Sequence, residues 1–259
     1  MNTPVLLLSD SAAQRTEIAI QNISKAELAN RTTLYTTADI TDCKLFDKVV
    51  RLSGENVEEN IDSILSENER LIIISEQVDV SAFILRYMNS ALDFYDKRGV
   101  MGICGYADNI DMPLDYQFST YMSYRPNLLS YGTWRNMWQK RLKNIEMSKE
   151  ILRNKSKRTT LTECGNDLYY KILNRKDVGL VERLALSSAG RNSPFVYPRK
   201  SLVRIPNGNG YNEPVAANIS LSHFCTSLAT NIDITEQIAE KHNASIGDRI
   251  RSFRSRFVG

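Results

Sequence analysis

The first hundred residues alternate short apolar segments with segments of helical periodicity, and this alternation restricts the fold more than any other feature of the sequence. Four runs have the length of strands, namely Pro4–Ser9, the β-branched run Thr32–Asp39, Lys48–Ser53 and Arg70–Ser75, and Asn56–Leu65 places its apolar side chains on one helical face. Strands that alternate with amphipathic helices are typical of βαβ units. The sequence therefore predicts an α/β fold whose mostly parallel sheet is flanked by helices on both faces.

A polar break follows the fourth predicted strand. The run "RLIIIS" leads into Ser75, Glu76 and Gln77, and we predict a helix over Val80–Gly99 and a further strand over Val100–Tyr106. In α/β proteins the binding site usually lies at the carboxyl ends of buried strands. The break is therefore the first candidate for a functional site.

After Tyr106 the sequence becomes irregular and aromatic, which indicates a second half of the same domain. We predict a helix over Gly132–Leu152, in which Trp134 and Trp138 lie four residues apart on one helical face. The last segment, "IGDRIRSFRSRFVG", has the pattern of a basic amphipathic helix, which predicts contact with an anionic membrane or packing on a protein surface.

Composition excludes several classes of protein. The 259 residues carry a net charge of +3, which is too small an excess to indicate nucleic-acid binding. The cysteines form no CxxC pair, so we expect reduced thiols and no zinc or thioredoxin-type site. No apolar run approaches the ~20 residues that cross a bilayer. We expect a cytoplasmic protein, with peripheral contact at the inner face of the plasma membrane through the basic tail.

Several stretches resemble one family when they are taken in order. They are "IISEQVDVSAFILRYMNSALDFY", "GICGY", "SYGTWRNMW", "NDLYYKI" and "YPRKSLVRIPNGNG". Together they are similar to bacterial glycosyltransferases of the GT-A fold, of the family 2-like group that acts on capsule or O-antigen sugars. The resemblance covers roughly residues 4 to 215.

The resemblance implies a fold, a reaction and a domain organisation. It implies a Rossmann-like GT-A domain over residues 1–232, with a nucleotide-binding half over 1–106 and an acceptor half over 107–232, and a helical C-terminal extension over 233–259. It also implies a sugar moved from a nucleotide-sugar donor to a saccharide or lipid-linked acceptor, with inversion, in surface polysaccharide synthesis. Mg²⁺ or Mn²⁺ is the cofactor that such enzymes usually use.

The acidic metal motif departs from the family pattern. The family ends this strand in several carboxylates, whereas this chain offers Glu76 followed by Gln77, a degenerate DxD motif. One carboxylate can hold Mg²⁺ weakly when substrate phosphates supply the other oxygen ligands. The alternative is a metal-independent site in which Arg199, Lys200 and Arg204 neutralise the diphosphate. Solvated residues at a strand end and in a turn would show the same pattern.

Three acidic residues are further candidates. Asp167 matches the acidic position of the family and would be the base that accepts the proton of the acceptor hydroxyl. An acidic residue is also common at the start of a helix, where it interacts with the helix dipole. Asp10 and Asp39 follow predicted strands and match positions that contact the nucleotide. Either of them could equally be a turn-forming residue.

Four aromatic residues are candidates for the acceptor cleft. Tyr106, Tyr131, Trp134 and Trp138 lie in the segments that carry the resemblance, and aromatic rings commonly stack on sugars. Core packing is the competing interpretation of both tryptophans. A catalytically inactive GT-A-like module that binds a glycan or a protein partner is the competing hypothesis for the whole chain.

Overall fold

The computed structural model describes most of the chain. The described residues are 2–9, 13–38, 45–54, 56–143, 146–174, 178–206, 224–226 and 232–245. The strands are β1 (Val5–Leu8), β2 (Thr33–Thr36), β3 (Lys48–Arg51), β4 (Arg70–Ser75), β5 (Asp79–Val80), β6 (Gly102–Cys104), β7 (Thr120–Ser123), β8 (Ser130–Trp134), β9 (Phe195–Pro198) and β10 (Val203–Arg204). The helices are α1 (Ala13–Ser24), α2 (Val57–Glu67), α3 (Ile84–Phe94), α4 (Arg135–Gln139), α5 (Glu146–Arg153), α6 (Lys155–Glu163), α7 (Asp167–Asn174), α8 (Leu180–Arg191) and α9 (Ile232–His242), with a short 3-10 helix at Ala29–Arg31.

Eight of these strands form one sheet in the order β3-β2-β1-β4-β8-β6-β9-β7. All of them run in one direction except β7 and β8, which are antiparallel to their neighbours. The strands β5 and β10 form a separate antiparallel ribbon. This architecture confirms the predicted α/β fold with a mostly parallel sheet and agrees with the GT-A class.

The central strands are apolar along their whole length because helices cover both faces of the sheet. Leu71, Ile72, Ile73 and Ile74 of β4 are all at most 1% exposed. The helix α2 buries its predicted face against this layer, and Asn56 caps it by accepting hydrogen bonds from the backbone N–H groups of Glu58 and Glu59. Strand length and helix periodicity therefore placed β4 and α2 correctly.

The predicted helix over Val80–Gly99 is shorter in the structure. It begins at Ile84, and Val80 instead pairs with Val203 in the β5–β10 ribbon. The partner strand lies more than a hundred residues away in sequence, so the local pattern could not indicate this pairing.

The predicted helix over Gly132–Leu152 is wrong. Ser130–Trp134 forms β8, a fully buried strand inserted between β4 and β6, and only the five residues Arg135–Gln139 continue as a helix. Trp134 and Trp138 therefore do not share a helical face.

A second, smaller apolar core is formed by the part of the chain that lies between the strands β8 and β9. The helices α5 to α8 bury apolar side chains against one another, and this set comprises Leu142, Ile151, Leu161, Leu168, Ile172, Ala185, Leu186 and Ala189. The helix α9 instead packs Ile234 and Ile238 into the main core. Within the described residues, none of the helices has both the length and the apolar character that crossing a membrane requires.

Candidate functional site

The parallel strands end at one edge of the sheet, where the strand order also reverses. The strands β2 and β3 lie on one side of β1, whereas β4 lies on its other side. Open α/β sheets bind ligands in the crevice that such a reversal opens at the carboxyl ends of the strands. We therefore expect a binding site at the carboxyl edge around β1 and β4.

A hollow of about 580 Å³ lies at this edge, over the ends of β1, β2 and β3. Its lining comprises Leu6–Ser9, Thr37, Arg51–Gly54, Val57 and Asn60. Ligand sites for small molecules usually have volumes of about 300–1,000 Å³, so the hollow has room for a nucleoside.

Polar groups of the hollow are held in place by hydrogen bonds. The Ser9 and Thr37 hydroxyl oxygens lie 3.1 Å apart, and the Asn60 amide donates to the Gly54 carbonyl at 2.8 Å. Gly54 cannot carry a side chain without displacing Asn60, because a Cβ would lie 2.8 Å from its Oδ1 atom. A side chain at this position therefore requires the end of the Asn60 side chain to shift.

Glu76 lies at the predicted break, but its carboxylate points into the protein. Its backbone N–H donates to the Leu8 carbonyl at 2.9 Å, and its Oε2 atom accepts a hydrogen bond of 2.6 Å from the Thr16 hydroxyl. The residue is only 4% exposed. Glu76 thus joins β4 to β1 and α1.

The residues at the break do not fit the divalent cation that the resemblance implies. Mg²⁺ and Mn²⁺ require several oxygen ligands that face the substrate. No group of three His, Cys, Asp or Glu residues comes together in the part of the chain that the structure describes. The Glu76 carboxylate is buried against Thr16, and Gln77 brings no charge.

The first turn of α1 places a cation at the same break. The Arg15 guanidinium donates to the Gln77 carbonyl at 3.2 Å, and Asn22 on the same helix donates to Asp79 at 3.0 Å. Arg15 is exposed, and it forms no ion pair with a carboxylate of any described residue. The break therefore displays a positive charge while its own acid is hidden.

The three basic residues after β9 have different surroundings. The Arg204 guanidinium pairs with Asp79 at 2.9 Å, and Arg199 donates to the Tyr116 carbonyl at 3.0 Å. Lys200 is exposed and contacts no carboxylate among the residues described. Their segment crosses the carboxyl edge, since the Leu202 N–H donates to the carbonyl of Gly105 at 2.8 Å.

Asp167 forms an ion pair with Arg125. The two guanidinium nitrogens donate to its two oxygens at 2.7 and 2.9 Å, and Lys171 lies 3.9 Å away. Burial alone would raise the pKa of the Asp167 carboxyl, but the hydrogen bonds and the charge of Arg125 outweigh burial and lower it. In this position Asp167 is a weak proton acceptor.

The loop after β6 lies between this ion pair and α9. His242 Nε2 lies 3.4 Å from Asp108, and Gln237 exchanges two hydrogen bonds of 2.8 Å with the backbone of Asp111. Tyr106 begins the loop, and burial together with the charge of Asp108 raises its pKa to about 12, although Arg125 opposes the shift. The helix α9 therefore fixes a loop at the edge of the candidate site.

The other aromatic candidates are buried in the protein. Tyr131 is 0% exposed, Trp134 5% and Trp138 1%, and the Trp138 indole donates to Asp62 at 2.6 Å. None of these rings offers an open face to a sugar. Their burial favours the core-packing interpretation over a sugar-stacking one.

Several predicted features lie outside the described residues. These are Asp10, Asp39, the Gly-rich turn at 207–210 and the basic tail at 246–259. Conversely, the sequence analysis missed Arg15, Thr16 and Arg125. The first two lie in the first turn of the helix after β1, a position that faces the carboxyl edge in α/β folds, and this was the signal available for them.

No protein-family model matches the chain, and no curated protein matches it. Among solved structures, the chain is similar to S. aureus TarS 1–349, a glycosyltransferase, with a TM-score of 0.42 and 8% sequence identity. The similarity covers 78% of this chain and 60% of the TarS chain, so this chain spans less than two thirds of the length of that neighbour. A likeness of this size does not establish a shared activity.

Proposed function

We propose that the chain is a glycosyltransferase that holds a nucleotide-sugar at the carboxyl edge of its sheet and transfers the sugar to a saccharide acceptor. The observation that carries this proposal is the hollow of about 580 Å³ over the ends of β1 to β3, whose lining combines apolar and polar side chains. It adjoins the strand reversal at which α/β proteins bind nucleotides. Synthesis of a bacterial surface polysaccharide, on a free or lipid-linked acceptor, rests on the sequence resemblance alone.

The donor is proposed to place its nucleoside in the hollow and its diphosphate toward the end of β4. Negative charge builds on the diphosphate oxygens as the sugar leaves, and a fixed cation stabilises that charge. Arg15 is exposed at the end of β4 and can supply it, with Lys200 as a second cation. Because the Glu76 carboxylate is buried, the proposed mechanism assigns the stabilisation of the diphosphate to these two cations and not to a metal ion held by Glu76. Asp10 and Asp39 remain proposed contacts of the nucleoside.

The proposed reaction is a single displacement with inversion. The acceptor hydroxyl oxygen forms a bond to the anomeric carbon, while the bond to the diphosphate oxygen breaks and its electron pair leaves with the nucleoside diphosphate. The hydroxyl proton passes to a carboxylate, for which Asp167 is the proposed base. The base has to exchange one of its hydrogen bonds from Arg125 for one from the acceptor. Tyr106, close to Arg125, is a proposed acceptor contact.

A specific observation favours a second candidate function. Both candidate carboxylates are already engaged within the protein, Glu76 by Thr16 and Asp167 by Arg125. A catalytically inactive GT-A-like module that binds a glycan or a protein partner needs no carboxylate to hold a metal or accept a proton. The internal bonds of both carboxylates are therefore compatible with this second function.

Thermal unfolding in the presence of nucleotide-sugars distinguishes the two candidates. We expect one of the UDP-, GDP-, CMP- or TDP-sugars to raise Tm, and to raise it equally with and without Mn²⁺, because a ligand that binds only the folded state stabilises it. At 100 times its Kd such a ligand adds about 2.7 kcal/mol. If none of the four changes Tm, the glycosyltransferase proposal fails and the binding module is favoured.

A further inference from the structure

We propose that the opposite edge of the sheet carries a second binding site, for a small phosphate-bearing anion. A hollow of about 410 Å³ lies there, beside Val100 before β6, Trp134 at the end of β8 and Ser193 before β9. This is the amino edge of the parallel strands, so the hollow is separate from the proposed donor site. Its volume falls in the range of small-molecule sites.

The hollow has an excess of positive charge. Lys97, Lys140 and Arg191 line it together with one acid, Asp96. None of the three cations pairs with a carboxylate of a described residue: Lys140 Nζ lies 3.7 Å from the Met137 sulfur, and Arg191 donates to the Lys140 carbonyl at 3.2 Å. Like charges gathered around a concave surface repel one another and attract an anion.

A buried donor without an acceptor among the described residues lies beside the hollow. Trp134 lines the hollow and is 5% exposed, yet among the described residues its indole N–H has no hydrogen-bond acceptor. The other tryptophan, Trp138, donates to Asp62 at 2.6 Å. The Trp134 nitrogen itself has almost no accessible surface, so an anion in the hollow does not reach it in this arrangement of the ring, and the three cations carry the proposal.

The combination of three cations and neutral donors defines the ligand class. Lysine and arginine bind phosphate oxygens through charge-assisted hydrogen bonds. Asn136 and Ser193 add neutral hydrogen-bonding groups to the same lining. A ligand with two or more negative charges, such as a pyrophosphate or a phosphate monoester, compensates the net charge of the hollow better than a singly charged anion.

Calorimetric titration of the whole chain with inorganic pyrophosphate and with inorganic phosphate tests the proposal. We expect saturable pyrophosphate binding, with Lys140→Glu and Arg191→Glu each weakening it by roughly tenfold or more. Asp96→Asn should tighten binding, because it removes the one repulsive charge. Lys155→Glu, an exposed substitution on α6, is the matched control and should leave the affinity unchanged.

The quenching of tryptophan fluorescence gives a second readout. Pyrophosphate should change the emission of the natural protein and not that of Trp134→Phe, since Trp138 lies outside the hollow. Pyrophosphate binding that is unaffected by both charge reversals would belong to another part of the surface and would overturn the proposal. The absence of saturable binding, or weaker binding by Asp96→Asn, would overturn it as well.

Discussion

At the end of β4, a metal-dependent site would expose a carboxylate to the substrate. This structure instead exposes the Arg15 guanidinium and buries the Glu76 carboxylate. The acid is buried and bonded to Thr16, whereas the cation is exposed and, among the described residues, donates to the Gln77 carbonyl. A carboxylate that is buried among protein atoms has to turn outward before it can coordinate a substrate-bound ion. An exposed guanidinium is suited to bind a diphosphate directly, because its planar fork matches phosphate oxygens.

We expect Arg15→Ala to weaken the binding of a nucleoside diphosphate by roughly tenfold, the typical value of one charge-assisted hydrogen bond. Its affinity for the matching nucleoside should be unchanged, because the nucleoside has no phosphate. Calorimetry with both ligands measures the difference. Arg31→Ala, another exposed arginine, is the control. An equal loss for nucleoside and diphosphate would show that Arg15 supports the fold of the hollow instead.

The lowered pKa of Asp167 has a consequence for stability. A carboxyl with a lower pKa in the folded state adds stability that is complete above its unfolded pKa and is lost as pH falls through the folded pKa. Asp167→Asn should therefore destabilise the protein at pH 7, by about 1–2 kcal/mol, and by less near pH 3. Urea unfolding at both pH values measures this change. A loss that is independent of pH would contradict the ion pair with Arg125.

At the scale of elements, α9 is the structural support of the loop after β6. Gln237 exchanges two hydrogen bonds with the Asp111 backbone, Lys241 donates to the Asn109 carbonyl, and His242 lies beside Asp108. Apolar contacts complete the attachment, since Ile234 and Ile238 are buried in the main core. The loop thus depends on a helix that lies more than a hundred residues away along the chain.

We expect Gln237→Ala to loosen this loop without unfolding the protein. Two hydrogen bonds to the backbone disappear, which costs about 1–2 kcal/mol locally. Amide hydrogen exchange at 108–112 should become faster, while the strands of the sheet should keep their protection. The neighbouring Glu236 is exposed, so Glu236→Ala is the control. Unchanged exchange at the loop would mean that α9 does not hold it.

The elements also show what the sequence could and could not predict. The strands β1 and β4 were predictable because a strand covered on both faces must be apolar throughout. The strand β8 was missed because Trp134 and Trp138 also have helical spacing, and only its neighbours β4 and β6 make it a strand. Local pattern located Glu76 at a break, but its bond to Thr16 spans 60 residues and that of Asp167 to Arg125 spans 42. Such pairings follow from the fold and leave no local signal.

At the scale of the whole molecule, a network of ions joins the sheet to the small helical core. The Arg141 guanidinium is 4% exposed, bonds Glu58 at 3.1 Å and Asp62 at 2.9 Å on α2, and stacks over Trp138. Arg183 of α8 reaches the same Glu58. The backbone N–H of Leu142 also donates to the Ser187 hydroxyl at 2.8 Å. The contacts of α2 with the residues around Arg141 thus form one connection between the two cores, beside the Arg125–Asp167 ion pair.

This arrangement predicts that Arg141 couples the unfolding of the two cores. Removing one partner of a buried ion pair costs about 3–5 kcal/mol, and the partial exposure of Glu58 and Asp62 should reduce this to about 2–3 kcal/mol. Arg141→Met keeps the packing against Trp138 but leaves both acids unpaired. We expect its urea unfolding to separate into two transitions, seen as curves that do not coincide when unfolding is followed by circular dichroism, which reports all helices, and by tryptophan fluorescence, which reports Trp134 and Trp138. Lys143→Met, a nearby exposed substitution, should preserve a single transition. If Arg141→Met unfolds in one step at lower urea, the ion network adds stability but does not connect the cores, and their cooperativity must come from the other contacts between them, such as the Arg125–Asp167 ion pair.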